Sequence, residues 1–388
     1  MSSPASPSVW ILDRSDNVGS VVGVDAASGA RCAMRGAATG QLEVRQDIPH
    51  GHKVALRAIA AGDPVIKYGA RVGRMTADVA PGEHVHVHNM ESLRGRGDIA
   101  VAQGDPRAQY EPRSTVTASY LERFRVECAE ASVAARKSLP CTLDVAFGEA
   151  AGDRLDLFWS ERREQAPLCV FLHGGFWRSN RKEDFSYVAT GLTQAGMNVA
   201  IVDYDLIPSV RMSRLVDQCR DAVAWLARNA GRLGLRDGSV FLCGHSAGAH
   251  VAAMLLSTDW AARASDLPRD FIRGAIGLSG LYDLAPVQQA PINQTLALTD
   301  QEVRDFSPVN LSPRVQCAFE LLVGSAETTE FQRQSDLLAD RWKSGITAPR
   351  VRRIANANHY SIRGQLGDAR SEVTKLVREL CVGGGGQA

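Results

Sequence analysis

The sequence has no apolar run long enough to cross a membrane, no CxxC pair and no excess of either charge. Each absence narrows the reading. A spanning helix needs about 20 consecutive apolar residues, and none is found. The opening MSSPASPSVWILDRSDN lacks a basic start and an apolar core. It does not read as a secretory leader, and a cytoplasmic protein is expected. Eight cysteines (Cys32, Cys128, Cys141, Cys169, Cys219, Cys243, Cys317 and Cys381) follow no metal or disulfide spacing. Several sit in apolar runs such as LCVFL and VFLC, which suits buried free thiols in a reducing compartment. A net charge of +1 with 22% charged residues gives no support for nucleic acid or an acidic membrane as partner. Homo-oligomerisation is left open.

What is present divides in two, as a length of 388 residues leads one to expect. Residues 8–92 read as short strands broken by Gly, Pro and Asp, with alternating apolar positions, a small β-rich domain. Residues 93–114 are polar and rich in Gly and Arg, which reads as a linker. Its Arg96-Gly97-Asp98 is given no adhesive role, because linkers collect such residues by composition. From 115 to 382 the pattern is α/β. LCVFLHGG, NVAIVDY, VFLCGHS, GAIGLSG and FELLVGS are short continuous apolar runs, suited to parallel strands buried on both faces. Between them RLVDQCRDAVAWLARNAG carries Leu215, Cys219, Ala222 and Leu226 at helical spacing. GDARSEVTKLVRELCV reads as a last helix before a flexible Gly-rich tail. The alternation predicts a mostly parallel, doubly wound sheet.

Gly244-His245-Ser246-Ala247-Gly248 follows an apolar strand and leads into a helical segment. This G-x-S-x-G setting places a serine hydroxyl at the tip of a sharp strand–helix turn. His173-Gly174-Gly175 follows the strand expected to carry an oxyanion loop. Its glycines let backbone N–H groups approach a negative oxygen, so Gly174, Gly175 and Ala247 are the candidate donors. Serine needs a histidine to take its proton. Of nine histidines, His359 alone follows the last apolar strand and precedes the last helix. Glu327, just after FELLVG, is favoured over Glu330 as the acid; Asp283 ends an earlier strand and reads as a structural or pocket residue.

These residues lie in a segment, from about 110 to 381, that resembles the α/β-hydrolase group containing kynurenine formamidase (arylformamidase) and related esterases. FLHGGFW resembles that group's HGGYW motif, with Phe176 in place of Tyr. VDYDLIP, GHSAGAHVAAMLLSTDW, SGLYDLAPV and ETTEFQRQS extend the match. In the last of these the family places an acid before Ser-Pro-Glu-Phe. Here Glu327 holds the acid position, and Thr328-Thr329 replace Ser-Pro. The resemblance implies hydrolysis of an N-formyl aryl amide, with N-formylkynurenine as the leading substrate. A substrate pocket near Phe176 and Trp177 is one reading of these aromatics and core packing the other, and no cofactor is expected.

The β-rich segment has its own resemblance. QDIPHGHKVALRAIAAGDPVIKYGARVGRMTADVAPGEHVHVHN is similar to the SAF-type N-terminal domain of altronate and galactarate dehydratases. In that family a much larger part holds most of the sugar-acid site, and here a hydrolase stands in its place. Dehydratase activity is therefore not carried over, although a lyase component and an esterase or lactonase acting on a sugar-acid derivative remain alternatives. PGEHVHVHNM spaces His84, His86 and His88 two apart, which on a strand puts three imidazoles on one face. One strand seldom supplies three ligands to a single ion, since same-face residues stand ~7 Å apart. His52 would have to contribute, and no metal is assigned.

Overall fold

The computed structural model describes residues 6–86, 88–92 and 109–383. They divide into two compact units, the first comprising 6–86, 88–92 and 112–124, the second 109–111 and 125–383. The boundary thus falls inside the helix Ala118–Ser138, and the residues 109–111 of the expected linker belong to the second unit. Arg96-Gly97-Asp98 lies outside the described residues.

In the first unit, alternating apolar residues form short strands separated by turns. Ser8–Ile11 (β1), Val18–Val22 (β2), Arg31–Gly36 (β3), Gly40–Glu43 (β4), Lys53–Ala55 (β5), Pro64–Lys67 (β6), Ala70–Met75 (β7), His84–Val85 (β8) and Met90–Ser92 (β9) follow in chain order. They build one sheet in the order β4-β3-β1-β2-β5-β8 and a second in the order β6-β7-β9. The strand expected to carry three histidines is only two residues long. Asn89 ends it by accepting from the His86 N–H (2.9 Å) and donating to the His84 carbonyl (2.8 Å), which bends the chain.

In the second unit the continuous apolar runs become buried parallel strands. The sheet comprises Cys141–Ala146 (β10), Arg154–Phe158 (β11), Leu168–Leu172 (β12), Asn198–Val202 (β13), Val240–His245 (β14), Ile272–Leu278 (β15), Ala318–Gly324 (β16) and Arg350–Ile354 (β17). The order is β10-β11-β13-β12-β14-β15-β16-β17, parallel from β13 onward. The first two strands are antiparallel to their neighbours. The helix Met212–Arg228 buries Leu215, Cys219, Ala222 and Leu226, the face its spacing predicts. All eight cysteines are free thiols. Among the described residues no helix is long and apolar enough to cross a membrane. Because the central strands run one way, the residues following β12, β14, β16 and β17 gather at one edge of the sheet. The site lies on that edge.

Candidate active site

Ser246 sits between β14 and the helix Ala247–Leu256 with φ 55° and ψ −116°, a conformation that costs a non-glycine residue about 1–3 kcal/mol. The turn closes only because its neighbours lack side chains. A Cβ on Gly244 would stand 2.2 Å from the Gly248 carbonyl oxygen, and one on Gly248 would stand 1.9 Å from that of Leu172. The Ser246 N–H is taken by the Leu278 carbonyl at 2.8 Å, tying the turn to β15. Ala247 is the first helical residue, and leading N–H groups of a helix have no acceptor within it.

The loop after β12 approaches this turn closely. A Cβ on Gly174 would come within 3.1 Å of the Ser246 Cβ and 2.8 Å of His245 Nδ1. Side chains fix both carbonyls of the loop. Tyr204 donates its hydroxyl to the His173 carbonyl (2.7 Å). The Gly174 carbonyl accepts from His173 Nδ1 (2.9 Å) and Asn180 Nδ2 (3.1 Å). A planar trans peptide points its N–H opposite to its C=O. The Gly174 and Gly175 N–H groups are therefore turned away from Tyr204, His173 and Asn180. His173 is fully buried and stacks on Tyr204 at 4.1 Å, a loop-holding role.

Glu327 follows β16 and His359 follows β17. His359 Nδ1 donates to Glu327 Oε2 at 2.7 Å, and both residues are buried. The other carboxylate oxygen accepts from the Ser279 hydroxyl (2.5 Å) and the Gly324 N–H (2.8 Å). The carboxylate is thus held at both oxygens, and His359 spends its Nδ1 on it. Glu330 is engaged elsewhere, accepting from Tyr110 (2.5 Å) and Arg333 (2.7 Å). Phe331 packs on the His359 ring with centroids 4.4 Å apart.

His245 and His250 are both buried beside the serine turn. Burial, then the nearby His359 and Arg363, hold His245 well below the usual imidazole range. Burial likewise pulls His250 down to about 4. The neutral His250 accepts from Trp177 Nε1 (3.2 Å) and donates from Nε2 to the Phe306 carbonyl (2.7 Å). Trp177 is 0% exposed, so within this structure it belongs to the core, while Phe176 beside it is partly exposed. Sequence reasoning did not find Tyr204, Asn180 or Ser279. They act on main-chain carbonyls or on the acid, and such contacts leave no spacing signal.

In the first unit His52 Nδ1 lies 2.9 Å from His84 Nε2, and the His52 and His86 rings stack at 4.6 Å. The His84 and His88 rings are 5.3 Å apart. Four imidazoles therefore converge through a turn. Among the described residues no three His, Cys, Asp or Glu are arranged to hold a metal ion.

A parallel sheet with a serine strained at one strand tip, a glycine loop beside it and a buried carboxylate–imidazole pair two strands away defines the α/β-hydrolase class. Comparison with known proteins gives the family. The kynurenine formamidase of Salmo salar is 32% identical over 262 residues, spanning 65% of this chain and 85% of that protein. The chain belongs to the kynurenine formamidase family and is a hydrolase. The BD-FAE family model matches residues 155–310, and the altronate/galactarate dehydratase SAF domain model matches 7–93. A crystal structure of a protein from Silicibacter sp. tm1040 is 26% identical with a TM-score of 0.61. The match covers 70% of this chain and 98% of that one. Altronate dehydratase of Bacillus subtilis is 37% identical over 92 residues, 24% of this chain but only 18% of that enzyme. That likeness carries the domain and not the enzyme's reaction.

Proposed function

We propose that this chain hydrolyses an N-formyl aryl amide of the N-formylkynurenine kind, or a small ester, through Ser246, His359 and Glu327. The observation that carries the reading is the 2.7 Å contact between Glu327 and His359 Nδ1. It fixes the imidazole tautomer, so that Nε2 is the proton acceptor. His359 takes the Ser246 proton as the hydroxyl oxygen attacks the formyl carbon. The Gly174, Gly175 and Ala247 N–H groups receive the developing oxyanion; losing one such donor costs about 10²–10³ in rate. His359 then gives its proton to the leaving nitrogen, and the aryl amine departs. Water attacks the formyl-serine, with His359 as base again, and formate leaves. A formyl group adds almost no bulk, and the partly exposed Phe176 ring, next in the chain to Gly175, offers an aromatic face to an aryl formamide. The identity of 32% with a kynurenine formamidase supports the same substrate class.

The test is turnover of a formanilide and of a phenyl ester by the purified full chain. Ser246→Ala is expected to abolish nearly all of it while the fold is kept, and a fluorophosphonate probe is expected to label Ser246. Undiminished turnover in the variant would remove Ser246 from the mechanism.

A further inference from the structure

Gln109 and Tyr110 stand in a stretch that reads from sequence as linker, yet both are fastened beside the Glu327–His359 pair. The Gln109 carbonyl accepts from the Thr328 hydroxyl (2.8 Å), and its Oε1 accepts from the Thr329 hydroxyl (2.9 Å). These two threonines directly follow Glu327 in the chain. Tyr110 is 3% exposed; it donates its hydroxyl to Glu330 Oε2 (2.5 Å) and accepts from Gln334 Nε2 (2.9 Å). Burial, then the bond to Glu330 and its charge, push the hydroxyl well above the usual phenol range, so it remains a donor. The Tyr110 ring meets Phe331 edge to face with centroids 6.3 Å apart, and Phe331 in turn lies on the His359 ring.

The helix Thr329–Trp342 begins with this support. A threonine just before a helix ordinarily turns its oxygen onto the helix's own leading N–H groups. Thr328 holds that position without such a bond and gives its hydroxyl to Gln109 instead. The start of the helix is therefore tied to the 109–110 strap rather than closed on itself. One turn along, Gln334 links the same strap to the loop after β15. Its Oε1 accepts the N–H groups of Tyr282 and Asp283, each at 2.7 Å. Ser279, which bonds the Glu327 carboxylate, lies three residues before Tyr282. Through one hydroxyl Tyr110 thus joins two elements that border the acid. Phe331 is fully buried between Tyr110 and His359, and a ring packed on both sides has little room to swing.

We propose that Tyr110 is a positioning residue for the Glu327–His359 pair, with Gln109 fixing the chain beside the acid. The inference rests on the Ser246 mechanism above and extends it to a segment outside the α/β sheet. Tyr110 acts through Phe331 on the imidazole plane. It acts through Glu330 and Gln334 on the first turn of the helix that follows the acid. Proton transfer needs both partners within hydrogen-bond reach, and a misplacement of about 1 Å can cost about 10²-fold in rate. The loss falls on kcat, because no contact to the substrate is removed.

The test uses the full chain, a formanilide as substrate, and the low-field proton signal of the His359 Nδ1–H bond to Glu327. Glu327→Gln assigns that signal by displacing it. Tyr110→Phe keeps the ring on Phe331 and is expected to lower kcat about tenfold, leave KM within about twofold and move the signal. Thr328→Val loses only the bond to the Gln109 carbonyl. It is expected to lower kcat about threefold and to move the signal, and it decides the matter if Tyr110→Phe fails to fold. Trp342→Phe is the stability control. It removes buried hydrogen bonds to the Pro308 and Leu311 carbonyls at the far end of the same helix. It is expected to lower the melting temperature of the second unit while kcat and the signal stay as in the parent. Tyr110→Phe with the parent's kcat, or with an unmoved signal, would overturn the proposal. An equal fall in kcat in Trp342→Phe would also overturn it, by reducing Tyr110 to a support of the fold. Ser246→Ala reads the underlying mechanism separately. Turnover that survives it removes the hydrolytic assignment, whereas the low-field signal reports on Tyr110 and His359 whichever way that variant behaves.

Discussion

His245 donates from Nε2 to the main-chain carbonyl of His359 at 3.0 Å, joining the residue before the proposed nucleophile to the residue proposed as its base. The rings stand 4.7 Å apart. The bond sets the height of the 359 loop over the β14 turn. His245→Ala is expected to lower kcat about tenfold with little change in KM, since one buried hydrogen bond to a positioning group is lost. Steady-state kinetics on a formanilide read the split. Equal activity would show that other contacts hold the loop.

The carboxylate is expected to matter more than the group that holds it. Glu327→Gln keeps the shape but removes the charge that stabilises an imidazolium, and about 10³–10⁴ in kcat should be lost. Ser279→Ala removes one of the three hydrogen bonds to Glu327 and should cost about tenfold. A Ser279→Ala loss as large as that of Glu327→Gln would mean that the serine does more than position the acid.

Trp177 offers a contrast between core and pocket. Its indole is enclosed and bonded to His250. Trp177→Phe should lower the melting temperature of the second unit and leave KM for an aryl formamide within about twofold, because one buried hydrogen bond and some packing are lost. A rise in KM at unchanged stability would instead make Trp177 a substrate contact.

The four imidazoles of the first unit predict acid sensitivity. Burial, then His52, His86, His88 and Lys53, pull His84 down to about 4 from the ordinary 6.5. Burial lowers His86 as well. The unfolded chain takes up these protons below pH 6.5, whereas the folded unit resists them. Their contribution is therefore complete above pH 6.5 and is lost as the pH falls toward 4. Melting of the first unit followed by circular dichroism across that window should show the decline, and His84→Asn should flatten it.

The parallel strands were legible because burial on both faces leaves an unbroken apolar run, as in Leu168–Leu172. Strands with charges inside them were not. β11 contains Asp156, fully buried and bonded to Arg136, with the Lys182 ammonium 3.2 Å away. β17 reads RVRRI because Arg350 and Arg352 reach across to Glu320 on β16. Pattern reading cannot anticipate partners that distant in sequence. The same limit applies at the site. Ser246, His359 and Glu327 could be named as candidates from motif and chain order, while Tyr204 and Asn180 serve backbone atoms and give no such cue. In HVHVH the alternation predicts a strand, but the Asn89 side chain captures the backbone hydrogen bonds and turns the chain instead.

Each unit has apolar clusters of its own among the described residues. Val9, Val54 and Val65 anchor one set, and Val170, Leu242 and Leu322 the other. Each part thus has a core that heat can dismantle by itself. A calorimetric trace should then hold two endotherms, and no single melting temperature would describe the chain.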